Sequence, residues 1–275
     1  MPIRLTPGRG VRAERARFGG VPVLILRPRH RAPSCGLLWI HGGGYATGMK
    51  EMVYMGRAAA LVEEFGALVV SPGYRLSWQR PYPAAVQDCY AALFHMHNHA
   101  DELGIPRGRL MVGGESAGGG LAAAVCMMAR DRALPVAYQF PLYPMLDNFD
   151  TDSSRDNHGK IWNTRRNHMG WRLYLRKAAN SAVPPYAAPA RQTNYCGLPP
   201  CYTFVGDGEP FHDETLQYAA NLRAAGVEAA ADVYHTDVHA FDMLYPEKEV
   251  SRAAISAFER QFEKALNQLE QENET

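Results

Sequence analysis

The sequence predicts an α/β fold in which helices cover both faces of a mostly parallel sheet. Short apolar strand patterns alternate with helical patterns, and this alternation repeats at least five times along the chain. The 275 residues are 47% hydrophobic, which is enough for a substantial core in one large domain or two small ones. Repeated strand-then-helix units keep successive strands parallel and place helices over the sheet.

The N-terminal half supplies three of the predicted strands and two of the helices. Apolar runs bounded by turn formers predict strands over residues 21–28, 35–40 and 67–71. A helix is expected over residues 55–66, where a glycine ends it. Residues 83–104 predict a long amphipathic helix that proline opens and glycine closes.

The C-terminal half continues the same alternation. Short apolar runs predict strands, and longer runs with helical periodicity predict helices. In chain order the expected elements are a strand over residues 109–113, a helix over 118–131, strands over 136–144 and 201–206, a helix over 213–226, a strand over 230–235 and a final helix over 247–268.

One segment, residues 147–200, interrupts this alternation. It is polar and rich in Trp, Asn, Arg and Pro, and only the stretch GWRLYLRKAA at residues 170–179 has a helical pattern. About 50 residues are too many for an ordinary connection, and insertions of that length are usually functional or disordered. Because the aromatic content argues against disorder, we expect a small cap over the carboxyl edge of the sheet.

Composition and charge argue against several classes of protein. A net charge of +1 predicts neither a nucleic-acid partner nor a membrane partner. The first 18 residues carry five arginines and lack the apolar core of a secretory signal, and no apolar run reaches the length of a membrane span. The five cysteines are scattered without a metal-type spacing, and three of them lie inside apolar strand or helix patterns, which predicts reduced, buried thiols in a cytoplasmic protein.

The segment GGESAGG contains the first candidate for catalysis, Ser116. A predicted strand ends here and a predicted helix begins, and glycines lie two residues to either side of the serine. This is the G-x-S-x-G pattern of a nucleophile elbow, in which a sharp turn exposes the serine hydroxyl. The helix N-terminus places partial positive charge near an oxyanion that forms there.

Three consecutive glycines in the segment HGGGY follow the predicted strand over residues 35–40. Glycines leave backbone N–H groups free to face a ligand oxygen, and this motif fits the oxyanion loop of lipases and esterases. We expect the N–H groups of Gly43, Gly44 and Ala117 to form an oxyanion hole. His41 is expected to fix this loop rather than to act as a base.

A nucleophilic serine needs a histidine base, which follows it in the chain order of this arrangement. His239 comes after the last predicted strand, where a loop would return toward Ser116. His235 is the rival, but it ends that strand, where an exposed or core histidine is ordinary. The sequence therefore favours His239.

Three carboxylates in the segment after residues 201–206 compete for the acid. Asp213 begins the next predicted helix and suits an N-cap, and Asp207 lies in the turn, where an Asx turn is common. Glu209 lies in the loop proper, where a carboxylate can accept the Nδ1 proton and orient the imidazole. We favour Glu209, with Asp207 as the alternative.

In this order, the motifs resemble the hormone-sensitive-lipase-like family of α/β-hydrolases over about residues 21–262. HGGGY and GESAGG resemble the family's oxyanion and nucleophile motifs, YRLSWQRPYPAAVQD its YRLAPE segment, VGDGEPFHDE its acid loop and VHAF its histidine loop. The resemblance implies an α/β-hydrolase fold in a single domain over residues 1–275, with the cap insertion at about 147–200. The family's catalytic aspartate falls on Glu209, which implies the triad Ser116–Glu209–His239.

The same resemblance implies a serine carboxylesterase of the acetyl-esterase type, with a small-molecule ester as substrate and with no metal or organic cofactor. Few residues precede HGGGY, so the cap must come chiefly from residues 147–200, and short acyl chains are expected. Neither nucleic acid nor membrane is implied as a partner, and the oligomeric state is open, a homodimer included. The candidate walls of the substrate pocket are Tyr45, Trp78, Trp162 and Trp171.

Two other functions fit the same sequence. A non-catalytic small-molecule binder could use this scaffold, although the presence of His239 argues against it, and an amidase or peptidase would share the whole site. The segment HMHNH is not expected to bind metal, because His95 and His99 share a helix face while His97 points away. A solvated helix face is the expectation there.

Overall fold

An eight-stranded sheet organises the molecule, which this computed structural model describes over residues 8, 10–176 and 182–272. The strands lie in the order β1-β2-β4-β3-β5-β6-β7-β8. β1 pairs antiparallel with β2 and β2 with β4, and all pairs from β4 to β8 are parallel. The strands are β1 (Val11–Phe18), β2 (Val21–Pro28), β3 (Gly36–Ile40), β4 (Leu68–Pro72), β5 (Leu110–Glu115), β6 (Tyr138–Leu142), β7 (Cys201–Gly206) and β8 (Ala229–Tyr234).

Helices cover both faces of the sheet, as the alternating pattern predicts. Side chains of β3 alternate between two cores: Leu38 and Ile40 pack with the second and fourth helices, and Leu37 and Trp39 pack with the first and last helices. The helices are α1 (Ala58–Phe65), α2 (Ala84–Asn98), α3 (Ala100–Leu103), α4 (Ala117–Asp131), α5 (Asp152–Arg155), α6 (Thr164–Leu175), α7 (His212–Ala224), α8 (Phe241–Leu244) and α9 (Glu249–Glu272). The predicted α/β class with a mostly parallel sheet is confirmed.

The described elements differ from the expected ones in three places. β1 is absent from the predicted strands because it is an edge strand whose sequence, VRAERARF, is largely charged and only buried at its two ends. The long helix expected over residues 83–104 breaks at His99 into α2 and α3. The last helix continues to Glu272, beyond the expected end at residue 268.

The segment 147–200 lies between β6 and β7 and contains α5, α6 and a short 3₁₀ turn at Pro189–Arg191. Its helical stretch begins at Thr164, earlier than residues 170–179 suggested, and residues 177–179 fall outside the described ranges. Its buried Trp171 and Tyr174 join the core cluster that also includes α2 and α4, and its buried Tyr195 packs in a smaller cluster with Ala123 and Met127 of α4. The segment therefore packs on the sheet side that carries the nucleophile helix.

The described helices and the cysteines bear on membrane crossing and on thiol reactivity. None of the described helices is both long enough and apolar enough to cross a lipid bilayer. All five cysteines are free thiols; Cys196 is exposed, and the remaining four are buried. Burial raises the pKa of each of these four thiols, so they are neutral and unreactive near neutral pH.

Candidate active site

Ser116 occupies a strained turn between β5 and α4. Its φ of 58° and ψ of −122° lie in a region that costs a non-glycine residue about 1–3 kcal/mol. The glycines two residues away on each side are required by close packing against β3. A Cβ added to Gly114 or Gly118 would lie only 2.5 or 2.0 Å from the carbonyl oxygen of Ile40. The glycine pattern around the serine thus follows from sterics.

The three residues of the predicted triad lie together at the carboxyl ends of the strands. Nε2 of His239 is 2.9 Å from Oγ of Ser116, and its Nδ1 is 2.5 Å from Oε2 of Glu209. The other carboxylate oxygen of Glu209 accepts a hydrogen bond from the amide of Gly206 at 2.8 Å. Ser116, Glu209 and His239 are 6%, 0% and 5% exposed. Hydrogen bonds among such shielded groups are stronger than in water.

The competing residues have other partners. Asp207 contacts Nδ1 of the exposed His235 at 2.7 Å and accepts from the amide of Thr236 at 3.0 Å. The hydrogen bond from His235 is the main reason that the pKa of Asp207 is lowered. Asp213 lies in the first turn of α7 and accepts from the amide of Ser153 at 2.8 Å. Neither aspartate contacts His239 among the described hydrogen bonds.

The glycine loop lies against the nucleophile turn. A Cβ added to Gly42 would be 3.2 Å from Cβ of Ser116. Gly43 and Gly44 have φ values of 120° and 58°, which glycine adopts readily. Their N–H groups donate to no backbone acceptor among the described residues. The N–H of Ala117 has no acceptor within α4, because Ala117 is the first residue of that helix. Within the described residues, these three N–H groups are thus without a backbone acceptor.

His41 stays within the loop that it begins. Nδ1 is 2.8 Å from the carbonyl oxygen of Gly42, and the ring stacks on that of Tyr74 with centroids 4.2 Å apart. The hydroxyl of Tyr74 donates to the His41 carbonyl at 3.0 Å. Burial lowers the pKa of His41 to about 4. A neutral, stacked imidazole is consistent with the expectation that His41 fixes the glycine loop rather than acting as a base.

The four aromatic residues proposed as pocket walls occupy different environments. Trp162 lies on Gly44, since a Cβ added there would be 2.2 Å from Cη2 of the indole, and its ring centroid is 6.4 Å from that of His239. Tyr45 and Trp171 are buried core residues with ring centroids 5.3 Å apart. Trp78 is 57% exposed. Among the described contacts, Trp162 is the member of the four that touches the triad.

A group of buried polar residues behind the triad was missed by the sequence reasoning. Glu115 accepts from Nε1 of Trp39 at 2.8 Å, and Asp242 accepts from the hydroxyl of Tyr143 at 2.9 Å. Burial raises the pKa of Asp242 and raises that of Glu115 to about 8. The available signal was position: Glu115 is a carboxylate inside an apolar strand, and Asp242 follows His239 by three residues.

Two of the histidines of HMHNH stack on each other. The rings of His95 and His99 stack with centroids 4.0 Å apart, and His95 also stacks on Phe18 at 4.1 Å. Both are partly buried, whereas His97 is exposed, so the face is less solvated than expected. Within the described ranges, no three His, Cys, Asp or Glu side chains are arranged to hold a metal ion.

Comparison with known proteins finds one matching family and relatives that are named as ester hydrolases or esterases. Residues 37–243 match the family described as the α/β hydrolase fold. The carboxylic ester hydrolase LipN of Mycobacterium tuberculosis is 35% identical over 236 residues, which cover 82% of this chain and 62% of LipN. The chain thus spans less than two thirds of the length of that relative. Esterase LipI of the same organism is 29% identical over 270 residues, covering 88% of this chain and 84% of LipI.

Solved structures show the same fold. A bacterial heroin esterase superimposes with a TM-score of 0.85 at 34% sequence identity, covering 94% of this chain and 83% of that enzyme. The esterase LipW from Mycobacterium marinum superimposes with a TM-score of 0.86 at 31% identity, covering 93% and 82% of the two chains. Each of these similarities extends over more than nine tenths of this chain.

Proposed function

This chain belongs to the α/β hydrolase family, and from that premise we propose that it is a serine esterase that hydrolyses carboxylic esters. One observation carries the proposal: a continuous hydrogen-bonded series from Ser116 through His239 to Glu209, buried beside a loop with unused N–H groups. The naming of its relatives as ester hydrolases and esterases supports the same reaction.

The proposed reaction begins with transfer of the Ser116 proton to Nε2 of His239 as the hydroxyl oxygen attacks the acyl carbon. Glu209 accepts the Nδ1 proton in a hydrogen bond, which fixes the tautomer and stabilises the imidazolium that forms. The alcohol leaves with the proton from His239, and an acyl-enzyme remains. Water then attacks the acyl carbon with His239 again as base, and the acid is released.

The oxyanion of each tetrahedral intermediate is proposed to accept from Gly43, Gly44 and Ala117. Preorganised donors of this kind stabilise the transition state by about 3 kcal/mol each. The N-terminus of α4 adds partial positive charge at the same place. The strained backbone of Ser116 fits this proposal, because strain of this kind concentrates at sites where a side chain is held for reaction.

Short acyl chains are the proposed substrates. The indole of Trp162 lies on Gly44, one of the proposed oxyanion donors, and faces the ring of Phe211 at 6.3 Å. A carbonyl oxygen seated at Gly44 would place its acyl chain close to this aromatic wall. We propose that residues 147–200 act as the cap over the site and that Trp162 is the part of it that limits acyl length.

The decisive variant is Ser116→Ala. Turnover of 4-nitrophenyl acetate should fall by about 10⁴-fold or more, because no other group supplies the nucleophile. The exposed Ser256 on α9 gives a matched control, Ser256→Ala, which should retain wild-type turnover. Circular dichroism checks that both variants fold. Near-normal activity of Ser116→Ala would remove this serine from the mechanism.

Covalent labelling separates the esterase from the alternatives. A fluorophosphonate should label wild-type protein at Ser116 and leave the Ser116→Ala variant unlabelled, with peptide mass spectrometry locating the adduct. Absence of labelling in folded wild-type protein would favour a non-catalytic binder. Comparison of matched ester and anilide substrates then tests the amidase alternative, which predicts kcat/KM for the anilide equal to or above that for the ester.

A further inference from the structure

Tyr143 and Asp242 form a second polar layer directly behind the imidazole of His239. Tyr143 follows β6, and its ring meets the His239 ring edge-on, with centroids 5.2 Å apart and an interplanar angle of 80°. Its hydroxyl donates to Oδ1 of Asp242 at 2.9 Å. Both side chains are fully buried. The tyrosine ring is therefore held between the proposed base and a buried carboxyl group.

The position of Tyr143 is fixed from two directions. Its φ of 32° is unfavourable for any residue other than glycine. Its amide donates to the carbonyl of Phe204 at 2.9 Å. Its ring also packs edge-on against Phe204 at 5.4 Å. β7 thus holds the backbone and one side of the ring, and Asp242 holds the hydroxyl end.

Asp242 is a buried carboxyl group with few hydrogen-bond partners, and the charge of Arg57 lies near it. Its Oδ2 has no hydrogen-bond partner among the described residues, and Tyr143 is the side chain that donates to Oδ1. A buried carboxyl with so few partners destabilises the fold unless another role offsets the cost. Burial raises its pKa, and the nearby charge of Glu209 raises it further. Burial and the charge of Glu209 thus oppose ionisation of this carboxyl, whereas the charge of Arg57 and the hydrogen bond from Tyr143 favour it.

The imidazole needs such support because two hydrogen bonds do not fix a ring completely. Contacts at Nδ1 and Nε2 leave the ring free to tilt about the line joining these atoms. Edge contacts from Tyr143 at 5.2 Å and Phe211 at 5.1 Å restrict that tilt. Small errors in the placement of a base cost much of its catalytic effect.

We propose that Tyr143 and Asp242 are positioning residues for His239, in that their hydrogen bond holds the tyrosine ring against the imidazole while Nε2 faces Ser116. This inference rests on the proposed esterase function. It assigns the pair to the orientation of the base, and neither residue touches the reacting atoms. A purely structural pair would change the stability of the fold and leave the rate of the bound complex unaltered.

Tyr143→Phe tests the proposal, because it removes the hydroxyl and keeps the ring. The matched control is Tyr202→Phe, since the hydroxyl of Tyr202 donates to Oδ2 of Asp232 at 2.7 Å, in β7 and β8. With 4-nitrophenyl acetate, Tyr143→Phe should lower kcat about 10-fold with KM changed less than 2-fold. Tyr202→Phe should leave both constants within 2-fold of wild type. Equal kcat values for the two variants would overturn the proposal.

Asp242 supplies a second, independent comparison. Asp242→Ala removes the acceptor and should lower kcat as Tyr143→Phe does, whereas Asp242→Asn keeps an oxygen acceptor and should restore kcat to within about 3-fold of wild type. Equal kcat values for these two variants would also overturn the proposal. If a fluorophosphonate labels wild-type protein but the variants at Tyr143 and Asp242 keep the kcat of wild type, only the positioning role is rejected. If wild-type protein is not labelled, the esterase function itself is rejected.

Discussion

At the scale of single residues, Glu209 closes the turn that presents it. Its amide donates to the carbonyl of Gly206 at 3.2 Å, and its Oε1 accepts from the amide of Gly206 at 2.8 Å. One carboxylate oxygen is thereby committed to the turn, and the other faces Nδ1 of His239. The side chain, one methylene longer than aspartate, spans the distance from the turn to the imidazole.

Glu209→Gln and Asp207→Asn distinguish the two carboxylates. Glu209→Gln should lower kcat about 10³-fold, because an amide neither stabilises the imidazolium nor fixes the tautomer. Asp207→Asn should stay within about 2-fold of wild type, since Asp207 pairs with the exposed His235. Steady-state kinetics on an aryl acetate measures both. The opposite ranking would assign the acid to Asp207.

The residues that sequence reasoning identified are those with a local signature. Ser116 is marked by glycines that β3 makes necessary, and His239 by its place after the last strand. Tyr143, by contrast, has no local sequence signature, because its proposed role depends on a contact with Asp242, 99 residues away in the chain. Contacts of that kind are set by the packing of strands and loops, which no short pattern encodes.

At the scale of elements, the connection between α5 and α6 delivers Trp162 to the site. Asn163 caps α6 by accepting from the amide of Arg166 at 3.1 Å, so the residue before it is fixed at a helix start. The indole N–H of Trp162 faces Oδ1 of Asn167 at 3.4 Å. A short capped helix thus holds one large side chain over the glycine loop.

Trp162→Ala should widen the range of acyl chains. Removing the indole from the face of Gly44 opens space for added methylenes, each worth about 0.8 kcal/mol when buried. The ratio of kcat/KM for 4-nitrophenyl hexanoate to that for the acetate should rise about 10-fold. The control is Trp78→Ala, whose side chain is mostly exposed and should leave the ratio unchanged. An unchanged ratio in both variants would remove Trp162 as the wall.

The elements themselves were largely predictable, and the exceptions are instructive. Strand β3 is a continuous apolar run because neighbours cover both of its faces. β1 pairs along its length with β2, but its exposed edge carries arginines, so apolar periodicity is lacking. Residues 147–200 were recognisable by composition, yet their fold was not, because it depends on packing against α4 and α7.

At the scale of the whole molecule, the parallel sheet brings distant residues to one edge. Ser116 follows β5, Glu209 follows β7 and His239 follows β8, so their loops meet at the carboxyl ends of the strands. The same arrangement brings the carboxyl groups of Glu115 and Asp242 close together, near the positive charge of Arg57. The site is thus built over buried acids whose ionisation opposes folding.

Glu115→Gln should change how the stability of the whole protein depends on pH. Burial raises the pKa of Glu115 to about 8, whereas an unfolded glutamate titrates near pH 4.3. The folded protein holds this proton over that interval, so the contribution of Glu115 to stability is fully present below about pH 4.3 and is lost as pH rises through about 8. Glutamine keeps an acceptor for Trp39 and carries no charge. The free energy of unfolding of Glu115→Gln minus that of wild type should therefore increase by about 1 kcal/mol per pH unit between pH 5 and 8.

Urea unfolding of wild type, Glu115→Gln and the exposed control Glu263→Gln, at unit intervals from pH 5 to 9, measures this difference. The Glu263→Gln curve should run parallel to that of wild type, because the Glu263 side chain is exposed to solvent on α9. The advantage of Glu115→Gln should level off above about pH 8, where the proton is lost in both states. A Glu115→Gln curve parallel to wild type would mean that Glu115 is ionised in the folded protein, with the charge of Arg57 outweighing the cost of burial.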